Sequence, residues 1–183
     1  MGSLTYDDYA AMPDDGRRYE LIEGDLHEMP SPGTVHQMVL GNLIFTIDDH
    51  VRANGLGIVI LSPFDVILSP HTVPQPDIIY IDSAREGLLS QRALEGAPTL
   101  AVEILLAREK ERDLVLKRRV YREHGIPHYW IVDPVEKTLE GLVLWREDYE
   151  TEAKFSENEK ATLRPFPDLV IPLAEIWARD LPD

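Results

Sequence analysis

Cysteine is absent from the 183 residues, so the chain can build neither a disulfide framework nor a thiolate site. That composition suits a reducing cytosol, and a cytoplasmic location is expected. Long apolar runs are missing too, so no stretch is able to span a bilayer and no membrane contact is expected. The opening Met1-Gly2-Ser3-Leu4-Thr5-Tyr6 lacks the basic start and apolar centre of a signal peptide. It also lacks the hydroxyl residue of a myristoylation signal. No P-loop, GxSxG, HExxH or zinc spacing occurs. Internal repeats and low-complexity segments are absent as well. Positive charge is scarce: 18 Lys and Arg against 33 Asp and Glu leave a net charge of −15. Such a chain is a poor general binder of nucleic acid, which needs a basic surface.

What is there is an ordinary soluble composition, 44% hydrophobic and 28% charged, which fits one domain over 1–183 with a full-sized core. Residues 4–15 read as a short acidic helix, and 18–29 as two strands around a Gly24-Asp25 turn. Thr34 is placed to cap a long amphipathic helix over 35–54, stopped by Asn54-Gly55. Strand patterns follow at 58–62, 64–68, 75–81 and 100–106, then a helix at about 109–124 and a strand at 129–132. Residues 139–145 and 149–155 pattern as a hairpin, and 163–171 as a single strand interrupted by prolines. The order is that of an α/β fold with a mixed sheet, in which residues 100–133 form a parallel crossover.

The chemistry centres on Leu100-Ala101-Val102-Glu103-Ile104-Leu105-Leu106, an apolar strand covered on both faces with a carboxylate in its middle. An ionised Glu103 there must be paired, protonated or bound to a metal. On a helical wheel of residues 113–124, Leu114, Leu116, Val120 and Tyr121 share one side, with Arg118, Arg119 and Arg122 on the other. Lys117 falls inside the apolar arc, where its ammonium either meets a partner such as Glu103 or snorkels to water. Asp77 is similarly ambiguous: it opens an apolar strand, as a solvated strand-end residue or as a buried acid. Taken together the three form a kit. Two carboxylates hold a hard divalent cation, Mg²⁺ or Mn²⁺, that lowers a water's pKa. A lysine then steadies the charge of the transition state.

The chain also resembles the Uma-type restriction endonucleases, within the restriction-endonuclease-like superfamily known by the motif PD-(D/E)XK. The matching pieces are Tyr19-Glu20-Leu21-Ile22-Glu23-Gly24, His36-Gln37, Leu61-Ser62-Pro63, Gln75-Pro76-Asp77, Gly96-Ala97-Pro98, Val102-Glu103-Ile104-Leu105, Arg112-Asp113-Leu114 with Lys117, and Tyr129-Trp130-Ile131-Val132-Asp133-Pro134. They run in the same order across about 17–134. The resemblance implies a restriction-endonuclease-like αβββαβ core, its mixed sheet flanked by helices, with N-terminal and C-terminal β-hairpins added. It implies Asp77 and Glu103 as metal ligands, with Glu20 as a third acid. The lysine that usually stands two residues after the Glu is replaced here by Leu105, and the Uma-type pattern puts it on the following helix, at Lys117.

Gln75 and His36 also match family positions, as supports of the site. Gln75 is equally a plain turn amide, and His36 equally a surface residue. Arg118, Arg119 and Arg122 either meet a phosphate backbone or form a solvated face paired with Glu111 and Glu123. The resulting expectation is an endonuclease that hydrolyses DNA by metal-activated water. A second reading is a nuclease-fold interaction domain with a weakened site. The net charge favours it, as does Leu106-Ala107-Arg108-Glu109, which replaces the family's hydroxyl-bearing turn. A third is a phosphodiesterase acting on a small phosphate substrate. The 139–155 hairpin would serve a homodimer.

Overall fold

The computed structural model describes residues 3–106 and 113–178. Its frame is a six-stranded mixed sheet in the order β10-β9-β8-β7-β5-β3. The strands are β3 (Gly57–Leu61), β5 (Ile78–Asp82), β7 (Leu100–Ile104), β8 (His128–Asp133), β9 (Thr138–Trp145) and β10 (Asp148–Ser156). Only β7 and β8 pair in parallel; the other neighbours in the sheet are antiparallel. A parallel pair needs a crossover, and the chain between them supplies the helix expected there.

One face of the sheet packs on helix α2 (Thr34–Asn54), the hairpin of β11 (Lys160–Leu163) and β12 (Phe166–Pro172), and the terminal turn α4 (Leu173–Ile176). That face is apolar: Ile78, Tyr80, Val102, Trp130 and Val132 meet Leu43, Ile47, Phe166 and Ile171. Helix α2 stops because Gly55 adopts a left-handed φ of 60° and returns its N–H to the last turn. The other face takes alternate residues of the same strands, Ala101, Tyr129 and Ile131, against Val120, Tyr121 and Ile22. Its cover is a π-helical turn, Asp113–Lys117, running into helix α3 (Arg118–Glu123), with strand β1 (Arg18–Ile22) alongside. Strand β1 pairs with β2 (Asp25–Met29) around Glu23-Gly24, both with positive φ, so the turn sits one residue earlier than Gly24-Asp25.

Several expectations need correction. Thr34 does not cap α2: Gly33 holds the cap position with no side-chain bond, and Thr34 is the first helical residue. The 64–68 segment leaves the main sheet after Pro63, and only β4 (Asp65–Val66) forms, parallel to β6 (Ala93–Leu94). The 163–171 stretch is not one strand: Arg164-Pro165 forms the turn between β11 and β12, which pair as an antiparallel hairpin. The 139–155 hairpin forms as expected and extends the sheet: β9 pairs with β8, which leaves β10 as the edge. Short helix α1 (Tyr6–Ala10) is closed by a Thr5–Asp8 capping box. Among the described residues, no helix is long and apolar enough to cross a membrane.

Candidate active site

Glu103 sits in the middle of β7, the sheet's best-covered strand, whose five residues are all buried. The β5–β7 register pairs Ile78 with Val102. Asp77, one residue before, therefore comes opposite Glu103, one residue after, and cross-strand partners point to the same face. That face is the one covered by the crossover helix. Lys117 is 1% exposed and its Nζ donates to Glu103 Oε1 at 2.9 Å, so it does not snorkel to water. Glu20, at 0% exposure, places Oε1 3.1 Å from the same ammonium. Three segments distant in sequence thus converge on one buried cation. An ammonium at this depth is tolerable only with such partners.

Tyr121 completes the cluster. It lies four residues after Lys117, on the same helical face, and its hydroxyl donates to Glu103 Oε1 at 2.5 Å. Burial, reinforced by Glu103 and Glu20, holds that hydroxyl well above its usual pKa, so it remains a donor. Sequence reading assigned Tyr121 to the apolar stripe. The signal that finds it is its phenolic oxygen: a Tyr on a buried face needs a partner, and the nearest polar group is the one Lys117 needs.

Asp77 is fixed by two contacts on one oxygen. Ile104 N–H donates to Oδ2 at 2.7 Å, and His36 Nε2 lies 3.2 Å from the same atom. His36 is buried at the start of α2 and is not a surface residue. Asp77, Glu103, His36 and Ile104 line a cavity of about 20 Å³, room for a single water or ion. Among the described residues no set of three or more His, Asp and Glu gathers into a metal cage. Two carboxylates opening on a small cavity nevertheless fit a magnesium-like ion, which binds through one or two carboxylates and keeps several waters.

Gln75 acts differently from expectation. Its backbone N–H donates to Glu20 Oε1 at 2.6 Å, while its side chain turns away to Asp65 Oδ1 at 2.9 Å. Glu20 and Glu103, rather than the Gln75 amide, hold Lys117. Asp133 accepts the N–H groups of Val135 and Glu136, as a strand-ending turn requires. The three arginines of α3 are all engaged by the protein. Arg118 donates to Tyr149 O at 2.8 Å, and Arg119 grips both oxygens of Glu23 at 2.7 Å. Arg122 meets Glu123 at 3.4 Å and Asp148 at 3.8 Å. Arg108, Lys110, Glu111, Arg112 and the turn residues Ala107–Glu109 lie outside the described residues.

The fold, a mixed sheet flanked by helices, is of the restriction-endonuclease-like kind. A model of the Uma2 family, whose description is "Putative restriction endonuclease", matches residues 6–174, and the chain belongs to that family. No curated protein matches it. Among solved structures it is similar to one described as a "putative nuclease" from Anabaena variabilis ATCC 29413. The TM-score is 0.76 at 21% identity, over 94% of this chain and 97% of that one. At that identity the likeness speaks for the fold.

Proposed function

We propose that this protein is a metal-dependent endodeoxyribonuclease. The observation that carries the reading is the pair Asp77 and Glu103, which line one small cavity, with Lys117 bonded to Glu103. Asp77 and Glu103 would hold Mg²⁺ or Mn²⁺, which supplies a water of lowered pKa and offsets charge on the phosphoryl oxygens. The protein's own groups do the rest. Ile104 N–H and the His36 ring keep Asp77 Oδ2 oriented. Tyr121 fixes Glu103, Glu20 pairs with Lys117, and Lys117, bonded to Glu103, would steady charge growing on a scissile phosphate. Membership of a restriction-endonuclease family supports hydrolysis of phosphodiesters in nucleic acid.

A second reading is an interaction domain that keeps the fold without the chemistry. It draws on the net charge of −15 and on three α3 arginines already engaged by protein groups. Cleavage of plasmid and of single-stranded circular DNA with Mg²⁺ or Mn²⁺ separates the two. The nuclease reading expects cleavage that disappears in Asp77→Asn, and a metal-induced rise in melting temperature that disappears with it. Metal-dependent stabilisation without cleavage of any strand would leave the second reading standing.

A further inference from the structure

Beside the small acidic cavity lies a larger one that this chemistry does not use. It encloses about 440 Å³ between α1, β1, β4 and the loop that carries Gln75. Tyr6, Tyr9 and Tyr19 line it, and its three arginines are matched by three aspartates. The rings are held in place. Tyr6 N–H donates to Pro70 O at 2.7 Å, and Tyr9 hydroxyl to Tyr19 O at 3.0 Å. The Tyr6 and Tyr9 rings stand 6.3 Å apart, tilted by 47°. At one wall Gln75 Nε2 meets Asp65, and Arg18 Nη2 donates to Gln75 Oε1 at 3.3 Å. Arg18 lines both cavities, and its Nε, shut off from solvent, has no partner among the described residues.

Balanced charge argues against a phosphate in this larger cavity. A flat, uncharged group with a polar edge fits better: its faces meet the tyrosines, its edge the carboxylate of Asp65 and the amide of Gln75. The volume lies within the usual span for small-molecule sites, about 300–1,000 Å³. Because Arg18 forms part of both walls, the two cavities are neighbours, and a base in the larger would have its adjoining phosphate toward the smaller. A chain this acidic also lacks the broad backbone attraction that usually secures nucleic acid, so a local grip gains weight. We infer that this cavity takes one unpaired base of a single-stranded nucleic acid, adjacent to the phosphate that a metal ion on Asp77 and Glu103 would engage. The inference rests on the nuclease reading and narrows its substrate to strands with an unpaired base at the point of attack.

The test uses the full chain in EDTA, where the strand stays intact. The probe is a short, wholly abasic DNA strand carrying a single 2-aminopurine, compared with the same strand lacking that base. The expected result is quenching of 2-aminopurine on binding, and about tenfold tighter binding of the base-bearing strand, the lower range of one stacked base. Tyr6→Ala removes a stacking face, and Met12→Trp fills the mouth from an exposed position. Each should erase the preference while circular dichroism stays unchanged. Equal binding of both strands, or a preference that survives both variants, overturns the assignment. Cleavage of single-stranded circular DNA with Mg²⁺ or Mn²⁺, measured in parallel, separates the failures. Cleavage without base preference sinks this cavity's role and spares the nuclease. Base preference without cleavage sustains the cavity's role and sinks the nuclease.

Discussion

The two faces of the central sheet are built from alternate residues of the same strands, yet they differ in kind. The α2 face joins Trp130, Phe166, Tyr80 and aliphatic side chains into one dry core. The α3 face holds Glu20, Glu103 and Lys117 at comparable depth within a smaller apolar cluster. Burial alone would favour hydrocarbon on both sides, since well-packed apolar replacements of buried ion pairs are often neutral or stabilising. The contrast teaches where to look for function: charge kept inside at such cost marks the chemical side of the sheet.

The sharpest way to break that contrast is to truncate one residue on each face. Phe166→Ala should cost about 3–5 kcal/mol in urea denaturation, leaving cleavage per folded molecule unchanged. Lys117→Ala should cost a similar ~3–5 kcal/mol, because Glu20 and Glu103 lose the cation they bury, and cleavage should vanish with it. Removing the charges together, as Lys117→Met with Glu20→Gln and Glu103→Gln, separates the two effects. Most of the stability should return while cleavage stays down by about 10²–10³-fold. A triple variant as unstable as the Ala variant, or one that still cuts, would erase the distinction between the faces.

Tyr121→Phe comes next. It removes one hydrogen bond to a charged, buried carboxylate and should cost about 1.5–3 kcal/mol, measured by the same denaturation. Unchanged stability would mean that Lys117 alone positions Glu103.

A pH titration sharpens the comparison further. Burial lowers His128 from its usual 6.5 to about 4, and its Nδ1 has no hydrogen-bond partner among the described residues. Between those values the unfolded chain binds a proton that the folded chain refuses. Stability should therefore be full above about pH 6.5, fall as the pH drops toward 4, and level off below. His128→Gln should flatten that limb; an unaltered slope would exclude His128 as its source.

The smallest effect is expected at Arg119, whose ion pair with Glu23 is exposed at both ends. Arg119→Ala should leave the urea midpoint unchanged. If α3 meets DNA, the variant lowers the salt dependence of binding by about one counterion, read by anisotropy at several salt concentrations.

The sequence reveals most where physics leaves few answers. A carboxylate inside Leu100–Leu106 has few excuses, and a lysine on an apolar arc has fewer, so Glu103 and Lys117 stand out before any coordinates. The parallel crossover is legible for the same reason: strand, amphipathic helix and strand in that order have one favoured closure. Asp77 is fainter, because a strand-end acid beside a proline is usually solvated, and only the β5–β7 register sets it opposite Glu103. Tyr121 and the Gln75–Asp65 contact stay hidden, since each depends on a long-range partner that periodicity does not encode. The 64–68 segment misleads because its apolar pattern fits a sheet strand, while Pro63 and the pairing to Ala93–Leu94 carry it elsewhere.

The cross-strand placement of Glu103 has a consequence for assembly as well as for chemistry. A slip of one residue between β5 and β7 would swing its carboxylate to the opposite side, among Trp130, Ile78 and Tyr80. There the acid would lose Lys117 and face aromatic and aliphatic surface alone. The wrong alignment is thus penalised electrostatically, and the groups read here as chemical also proofread the sheet.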